Sequence, residues 1–168
     1  MEYLPYLAYG SNLLSARLAA RVGAVGVLAR VALPGYALRF CKRGRDGSGK
    51  CTLMPGADAL AHGVVYALPA TMRATLDRIE GVGQGYDATR LRIAGVGECH
   101  VYLVQDGWSD DDLAPYDWYR DLVLAGAREH GLPSAYIDTI AAVPAWPDPD
   151  SARAAVHRAL LAGASAEP

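Results

Sequence analysis

The sequence has 168 residues, of which 52% are hydrophobic and 20% are charged, and its formal net charge at pH 7 is -2. These values are typical of a globular protein with a buried core; they exclude a disordered chain and give no support to nucleic-acid binding. The first residues lack a basic segment followed by a long apolar run, so we expect no signal peptide, no membrane span and a cytoplasmic location.

The cysteines argue against a disulfide framework and against a zinc site. Their number is odd, and no C-x-x-C pair occurs among them. We expect buried free thiols at Cys41, Cys51 and Cys99. The four histidines share no ligand spacing with one another or with the cysteines, so the sequence predicts no protein-bound metal.

Near the start of the chain, a strand, a turn and a helix start follow one another within eight residues. Residues 6–9 form an aromatic and apolar run that predicts a buried strand. Gly10 allows a sharp turn, and Ser11 and Asn12 are residue types that cap helices through side-chain oxygens. The N–H groups at this turn would attract a carboxylate or a developing oxyanion. The alternative is an ordinary strand-to-helix connection with a capping serine.

The next segment contains two predicted strands and a basic loop. Residues 23–31 and 36–41 have strand-like composition, and Pro34-Gly35 between them marks a turn, so together they predict a hairpin. In residues 42–50 basic side chains are mixed with glycines, which favours a mobile surface loop over a loop that faces a substrate. This segment is not a phosphate-binding loop, because it lacks the G-x-x-x-x-G-K-[ST] order.

A helix near the middle of the chain carries a conspicuous acidic residue. Met72, Leu76 and Ile79 recur with helical spacing and predict a stripe that packs inward, and Gly81 ends the helix. Glu80 therefore lies at the negative end of the helix dipole and beside an apolar face. Both effects disfavour the charged carboxylate, which suits a group that shuttles protons near neutral pH. The alternative is a solvated glutamate at a helix end.

The second half of the chain contains a strand pair and further helices. Residues 88–94 and 98–105 predict the two paired strands. His100 and Tyr102 share a face that would line a cavity in a closed sheet or meet solvent in an open one, and we expect His100 to be structural or exposed. Helices are predicted over residues 118–131, 135–142 and 151–162.

No change of composition marks a domain boundary, and no internal repeat is present. We therefore expect a single domain over residues 1–168, in which the residues after about 145 form a peripheral helix and tail. Strand-like and helix-like segments are mixed along the chain, which favours an α+β fold with a curled or closed sheet.

Separate stretches of the sequence together resemble the signature of the γ-glutamylcyclotransferase family. The first is Y-G-S-N-L at residues 9–13, and the second is L-D-R-I-E-G-V at residues 76–82. A third, G-A-R-E-H-G-L-P at residues 126–133, with the preceding Tyr119, is similar to that family's later helix. The similarity covers roughly the first 140 residues, and the order of the stretches makes it more specific than a lone Y-G-S-N motif.

The resemblance implies an α+β fold in which helices surround a small mixed β-barrel. It also implies a cofactor-independent enzyme, a carbon–nitrogen lyase in which the α-amine of a small γ-glutamyl substrate attacks its own γ-carbonyl. The products are 5-oxoproline and a free amine, with Glu80 as the acid/base and residues 6–11 as the substrate and oxyanion site. The implied substrate-binding residues are Tyr6, Leu7, Ala8, Tyr9, Gly10, Ser11, Asn12, Tyr86, Tyr102 and Tyr119.

The identity of the leaving amine stays open, because its recognition depends on the loops near Arg43, Arg45 and Trp108. One alternative is the removal of a γ-glutamyl protecting group from a metabolite by the same chemistry. Another is a non-catalytic protein that binds a small carboxylate through the same N–H groups. A serine hydrolase is disfavoured, because Ser11 lacks the G-x-S-x-G setting. The sequence also leaves open whether the chain forms a homodimer.

Overall fold

The structure, a computed structural model, describes residues 2–164, and within this range the chain forms five strands and five α-helices. The strands are β1 (Tyr3–Ala8), β2 (Gly26–Arg43), β3 (Gly49–Pro69), β4 (Tyr86–Ile93) and β5 (Gly97–Val104). The helices are α1 (Ser15–Val22), α2 (Arg73–Glu80), α3 (Asp117–Glu129), α4 (Ser134–Ala141) and α5 (Ser151–Ala164). Short 3₁₀ turns at Ser11–Leu13 and Ala70–Met72 lead into α1 and α2.

The strands form one mixed sheet in the order β2-β3-β1-β5-β4. The central strand β1 pairs antiparallel with β3 and parallel with β5, and its Leu7 is fully buried. The α+β fold class is thereby confirmed. In residues 2–164, however, β2 and β4 are free edges, so the sheet curls without closing into the expected barrel. The backbone N–H of Val104 donates to Thr52 Oγ1 at 3.1 Å, which brings β5 and β3 together without a ladder.

One predicted hairpin is wrong, because its two strands belong to the single long strand β2. Pro34 and Gly35 lie at a shift of register between Pro34 and Tyr36, and the pairing with β3 continues on both sides of it. A bulge tolerates a proline, which has no N–H for the ladder, and it lets a long strand bend. The chain reverses instead at residues 44–48, and the hairpin is formed by β2 and β3.

Helix α2 ends where the sequence predicts, but its buried stripe is narrower than expected. Gly81 has a φ of +76°, the left-handed conformation that glycine adopts readily at a helix end. Leu76 is fully buried in the core, whereas Ile79 is 41% exposed. As a result, the end of α2 lies at the surface of the core, where its last side chain can border a cavity. The three cysteines are free and buried, as predicted.

Candidate active site

One cavity brings together the turn after β1, the end of α2 and the start of β4. It encloses about 310 Å³, part of which is open to solvent. The residues that line it are Tyr6, Tyr9, Gly10, Ser11, Asn12, Cys51, Glu80, Tyr86, Tyr102 and Tyr119. Two of the expected substrate-binding residues are not in this wall. Leu7 and Ala8 are fully buried in β1, where they pair with Val65 and Val64 of β3.

The carboxylate of Glu80 accepts hydrogen bonds from the turn after β1 and from α1. Its Oε1 accepts a hydrogen bond from Asn12 Nδ2 at 2.9 Å and another from Arg21 Nη1 at 2.6 Å. The same Asn12 amide nitrogen donates to the hydroxyl of Tyr6 at 2.8 Å, and Asn12 Oδ1 accepts from Arg21. These contacts join segments 59 to 68 positions apart in the sequence. Glu80 therefore faces the turn and not the bulk solvent.

The expectation that Ser11 and Asn12 cap the first helix is wrong. Neither the 3₁₀ turn nor α1 is capped by the side chain of its own N-cap residue, and the first N–H of α1, that of Ser15, donates to Glu129 Oε2 at 2.9 Å. Ser11 Oγ instead accepts from Arg17 Nε at 2.9 Å, and the Asn12 side chain is engaged with Glu80. These two side chains thus form hydrogen bonds with other side chains, whereas serine and asparagine at this position often bond to the nearby backbone N–H groups of the helix.

Arg21 places a positive charge 2.6 Å from Glu80 Oε1, a partner that the position of Glu80 at a helix end does not predict. An opposite charge at hydrogen-bond distance favours the ionised carboxylate, whereas the helix dipole and burial disfavour it. The side chains of Arg21 and Glu80 are 20% and 15% exposed, so solvent screens the pair only partly. The acidic group at the cavity is therefore part of an ion pair with Arg21 and not an isolated helix-end glutamate.

The turn at Gly10 needs a residue without a side chain because of a close approach, not because of its backbone angles. A Cβ at Gly10 would lie 2.9 Å from Cys51 Cβ and 3.5 Å from the Tyr119 hydroxyl. In the described part of the chain, the backbone N–H groups of Gly10 and Asn12 donate to no protein acceptor. Such N–H groups at the start of a helical turn are suited to bind an anionic oxygen.

Tyrosine hydroxyls fix the wall of the cavity to the strands behind it. Tyr86 donates to the carbonyl of Cys51, and the hydroxyl of Tyr119 accepts from the Cys51 N–H at 3.0 Å. Tyr9 donates to the carbonyl of Tyr102. These tyrosines are buried, their hydroxyls are hydrogen-bonded, and they also line the cavity.

Tyr102 links the wall to α2 through a carboxylate outside the cavity. Its hydroxyl donates to Asp77 Oδ1 at 2.7 Å, one turn of helix before Glu80. His100 packs edge-on against the Tyr102 ring and lies 3.4 Å from the same oxygen. His100 is 3% exposed, so the structural role expected for it fits and the exposed one does not.

The other ionisable groups of the wall stay protonated at neutral pH. Burial raises the pKa of each lining tyrosine, and the negative charge of Glu80 raises it further. Burial likewise raises the pKa of the Cys51 thiol. Among the described residues that line the cavity, Glu80 is therefore the only base.

A second, outer chamber of about 690 Å³, part of which is open to solvent, adjoins the cavity and shares four of its lining residues. The shared residues are Ser11, Glu80, Tyr86 and Tyr119. The other residues that line it are Arg17, Arg21, Lys42, Gly44, Arg45, Asp46, Lys50, Ile79 and Gln84. Residues 42–50 thus border the site. The sequence had favoured a mobile surface loop over a loop that faces a substrate. The N–H groups of Arg43 and Gly49 hold this segment to the carbonyls of Trp108 and Ala114, both at 2.8 Å.

Sequence reasoning missed most of the cations around this chamber. Arg17 and Arg21 are four residues apart and so share a face of α1, but that spacing is equally typical of a solvated face. Of the residues expected to recognise the leaving amine, Arg45 lines the chamber. Arg43 is directed instead toward Asp110, at 3.2 Å.

The structure gives no support to a serine nucleophile or to a metal centre. The partner of Ser11 Oγ is a guanidinium, which cannot take its proton. Within residues 2–164, no group of three or more His, Cys, Asp or Glu side chains is arranged to hold a metal ion. None of the described helices is long and apolar enough to cross a membrane.

Known proteins resemble this chain in sequence over most of its length. A family model described as the AIG2-like family matches residues 61–140. A human protein named γ-glutamylcyclotransferase is 27% identical over 152 residues, which are 84% of this chain and 79% of that protein. A mouse protein of the same name is 27% identical over 154 residues, with the same coverage.

The fold is shared with solved structures. One named γ-glutamyl cyclotransferase is 26% identical, has a TM-score of 0.76, and is matched over 86% of this chain and 89% of its own. YkqA from Bacillus subtilis has a TM-score of 0.71 at 23% identity, over 86% of this chain and 56% of its own, and is similar in fold alone. The family model, the sequence relatives and the fold agree with the resemblance drawn from the motifs, and this chain is similar to γ-glutamylcyclotransferases in sequence and in fold.

Proposed function

We propose that this protein cyclises a γ-glutamyl compound to 5-oxoproline and releases the amine. The α-nitrogen of the substrate attacks the γ-carbonyl carbon, a new C–N bond closes the five-membered ring, and the original amide C–N bond breaks. Protons pass from the attacking nitrogen to the leaving nitrogen, so no external reactant is needed. Folding the substrate into a near-attack shape supplies much of the rate, because both reacting groups belong to one molecule.

Glu80 carries this proposal, since it is the only base in the described wall of the cavity. An ammonium cannot attack a carbonyl, so a base must first remove a proton from the α-amine. Arg21 and Asn12 both hold Glu80 Oε1, which fixes this carboxyl group at the cavity wall. Once protonated, the same carboxyl can return the proton to the departing amine. The relatives named γ-glutamylcyclotransferase support the general activity, cyclisation of a γ-glutamyl compound.

The turn after β1 has the complementary role. We assign the free N–H groups of Gly10 and Asn12 to the substrate's oxygens, including the γ-carbonyl oxygen on which negative charge develops. The lining tyrosines stay neutral and supply a shaped wall, so they take no part in proton transfer. Ser11 does not form a covalent intermediate in this scheme.

The test measures 5-oxoproline released from γ-glutamyl-alanine by the purified protein and by the variant Glu80→Gln. We expect the variant to fold normally and to lose at least about a hundredfold in kcat, the usual size of general acid–base catalysis. Glu98→Gln is the matched control, because Glu98 is an exposed carboxylate paired with Arg90 outside the cavity. That control should keep its full activity.

Two results would contradict the proposal. Near-normal turnover by Glu80→Gln would remove this residue from the mechanism. Tight binding of γ-glutamyl-alanine without any 5-oxoproline would favour the alternative of a non-catalytic carboxylate-binding protein.

A further inference from the structure

Arg17 is a buried cation to which the proposed reaction gives no role. It lies on α1 and is 7% exposed. Within residues 2–164 no carboxylate pairs with it, and its hydrogen-bond partners, Ser11 and His157, are neutral. Burial lowers the pKa of Arg17 to about 10, because a charge removed from water without a counter-ion is destabilised, and Arg17 stays charged at neutral pH. Perturbed ionisable groups of this kind cluster at functional sites.

The bond from Arg17 determines how the Ser11 hydroxyl is used. Arg17 Nε donates to Ser11 Oγ at 2.9 Å. A guanidinium has donors only, so the serine oxygen is the acceptor in this bond and its own hydrogen stays available. Among the described residues, Ser11 Oγ has no other hydrogen-bond partner. The hydroxyl hydrogen is therefore turned away from α1 and still needs an acceptor.

The cavity is where that hydrogen finds its acceptor. Ser11 is 6% exposed and lines the cavity, between Gly10 and Asn12 in the same turn. A buried donor without an acceptor costs free energy, and a ligand in the cavity removes that cost. A hydroxyl that accepts a bond from a cation is also a stronger donor, because hydrogen bonds in a chain polarise one another. Such a donor suits an oxygen that carries negative charge.

His157 holds Arg17 from the side opposite to Ser11. Its Nδ1 lies 3.0 Å from Arg17 Nη1, and since the guanidinium only donates, Nδ1 is the acceptor and the ring proton lies on Nε2. Burial and the charge of Arg17 lower the pKa of His157 to about 4, so the ring is neutral at neutral pH. The ring stacks on Trp118 with 3.9 Å between the centroids. Helix α5 thus supplies the acceptor that keeps the guanidinium beside Ser11.

We propose, on the basis of the cyclisation proposed above, that Arg17 and His157 are positioning residues that turn the Ser11 hydroxyl into the cavity as a hydrogen-bond donor. Its acceptor is an oxygen of the γ-glutamyl substrate that carries negative charge. Arg17 acts through Ser11, and His157 acts through Arg17. The hydroxyl keeps its proton throughout, and no covalent bond to Ser11 forms.

The first test is a double-variant cycle in the 5-oxoproline assay with γ-glutamyl-alanine. Ser11→Ala and Arg17→Met should each lower kcat/KM by about tenfold, the size of one hydrogen bond to a charged group. The double variant should lose little more than either single variant, because residues that act as a unit are non-additive. Arg120→Met is the matched control, since Arg120 is a partly buried arginine of α3 that bonds to Asp121 and to the Val143 carbonyl outside the cavity. It should keep its kcat/KM.

A merely structural role of Arg17 predicts a different result. Arg17→Met replaces a buried charge that lacks a counter-ion by an apolar side chain of similar length, so we expect no fall in the free energy of unfolding. Urea unfolding of the variant measures this. Loss of activity at unchanged stability supports the positioning role, and a loss of activity that comes only with a loss of stability would overturn it.

Two variants of His157 separate its acceptor from its packing. His157→Asn keeps an acceptor close to the position of Nδ1, whereas His157→Leu does not, and both remove the ring that stacks on Trp118. Both should therefore be less stable in urea. Only His157→Leu should also lower kcat/KM, by about threefold to tenfold, the size of one ordinary hydrogen bond. Equal kcat/KM for the two variants would show that the acceptor has no part in positioning Arg17.

The failure of this proposal differs from the failure of the cyclisation. Additive losses in the cycle, or full activity of Arg17→Met, would overturn the positioning role and leave the cyclisation intact. If no substrate is turned over, titration calorimetry with γ-glutamyl-alanine gives the same cycle as changes in Kd. Non-additive weakening of binding then supports the role of Arg17, and binding that is absent or unchanged in the variants overturns it.

Discussion

The side-chain amide of Asn12 helps to fix the position of the Glu80 carboxylate. Asn12 Nδ2 lies 2.9 Å from Glu80 Oε1 and 2.8 Å from the Tyr6 hydroxyl, so it fixes the carboxylate against the cavity wall. Arg21 adds charge at 2.6 Å but comes from a long and partly exposed side chain. Asn12 is therefore a positioning residue that acts through Glu80.

Asn12→Ala should lower kcat by about 10-fold to 100-fold, because a catalytic group displaced by a fraction of an ångström loses much of its effect. Combined with Glu80→Gln, the same change should add little further loss, because residues that act as a unit are strongly non-additive. The 5-oxoproline assay on the single and double variants measures this. Fully additive losses would show that Asn12 acts independently of Glu80.

Among the elements, α3 determines where the turn after β1 sits. Gly126 lets the two backbones touch, since a Cβ there would lie 2.4 Å from the Leu14 nitrogen and 2.6 Å from the Leu13 carbonyl carbon. The Leu13 carbonyl oxygen also accepts from Tyr66 at 2.7 Å and lies 2.9 Å from His130 Nε2. The turn is thus held by a strand and by a helix more than a hundred residues away.

Gly126→Ala should destabilise the protein by about 1–3 kcal/mol, the usual cost of an extra methyl group in a packed core. It should also lower activity, because the turn must move away from α3. Gly163→Ala is the matched control, since Gly163 lies in α5 with nothing within 4 Å of an added Cβ. Urea unfolding of both variants tests the comparison, and equal stability of the two would contradict the packing argument.

At the scale of the whole molecule, α5 is less peripheral than its place in the sequence predicts. Its His157 stacks on Trp118 of α3 at 3.9 Å and contacts Arg17 at 3.0 Å, behind the outer chamber. Asp148, just before α5, has a fully buried side chain that accepts from Trp118 Nε1 at 2.7 Å and from Arg153 at 2.6 and 2.8 Å. This carboxylate joins α5 to the core.

Stability should depend on the ionisation of Asp148. Its hydrogen bonds from Arg153 hold the pKa of that carboxyl well below the ordinary value of 3.8, although burial opposes the shift. The carboxylate therefore contributes fully to stability above about pH 4 and loses that contribution as the pH falls further.

Asp148→Asn should unfold at lower urea concentration than the unmodified protein at pH 7, and the difference should narrow below about pH 4. Asp138→Asn, at an exposed position in α4, is the control and should have little effect at any pH. Urea unfolding at pH 7, 5 and 3 provides the measurement. A difference that stays constant from pH 7 to pH 3 would show that ionisation of Asp148 does not contribute.

The sequence by itself determined the local features of this protein. The aromatic run before Gly10 forms β1, Gly81 ends α2 directly after Glu80, and the amphipathic pattern after residue 117 forms α3. Each depends on neighbours within a few residues, since helical spacing and backbone freedom are local properties. The mixture of strand-like and helix-like segments also favoured the α+β class, and the family resemblance added most residues of the cavity wall.

Only the tertiary structure decided how these elements meet. The pairing of Arg21 with Glu80, the bulge at Pro34 in place of a turn, and the cations of residues 42–50 around the outer chamber depend on partners distant in sequence. The same long-range packing leaves β2 and β4 as free edges of an open sheet within residues 2–164. Local pattern cannot specify such contacts, because the free energy that selects them arises from burial and pairing across the whole fold.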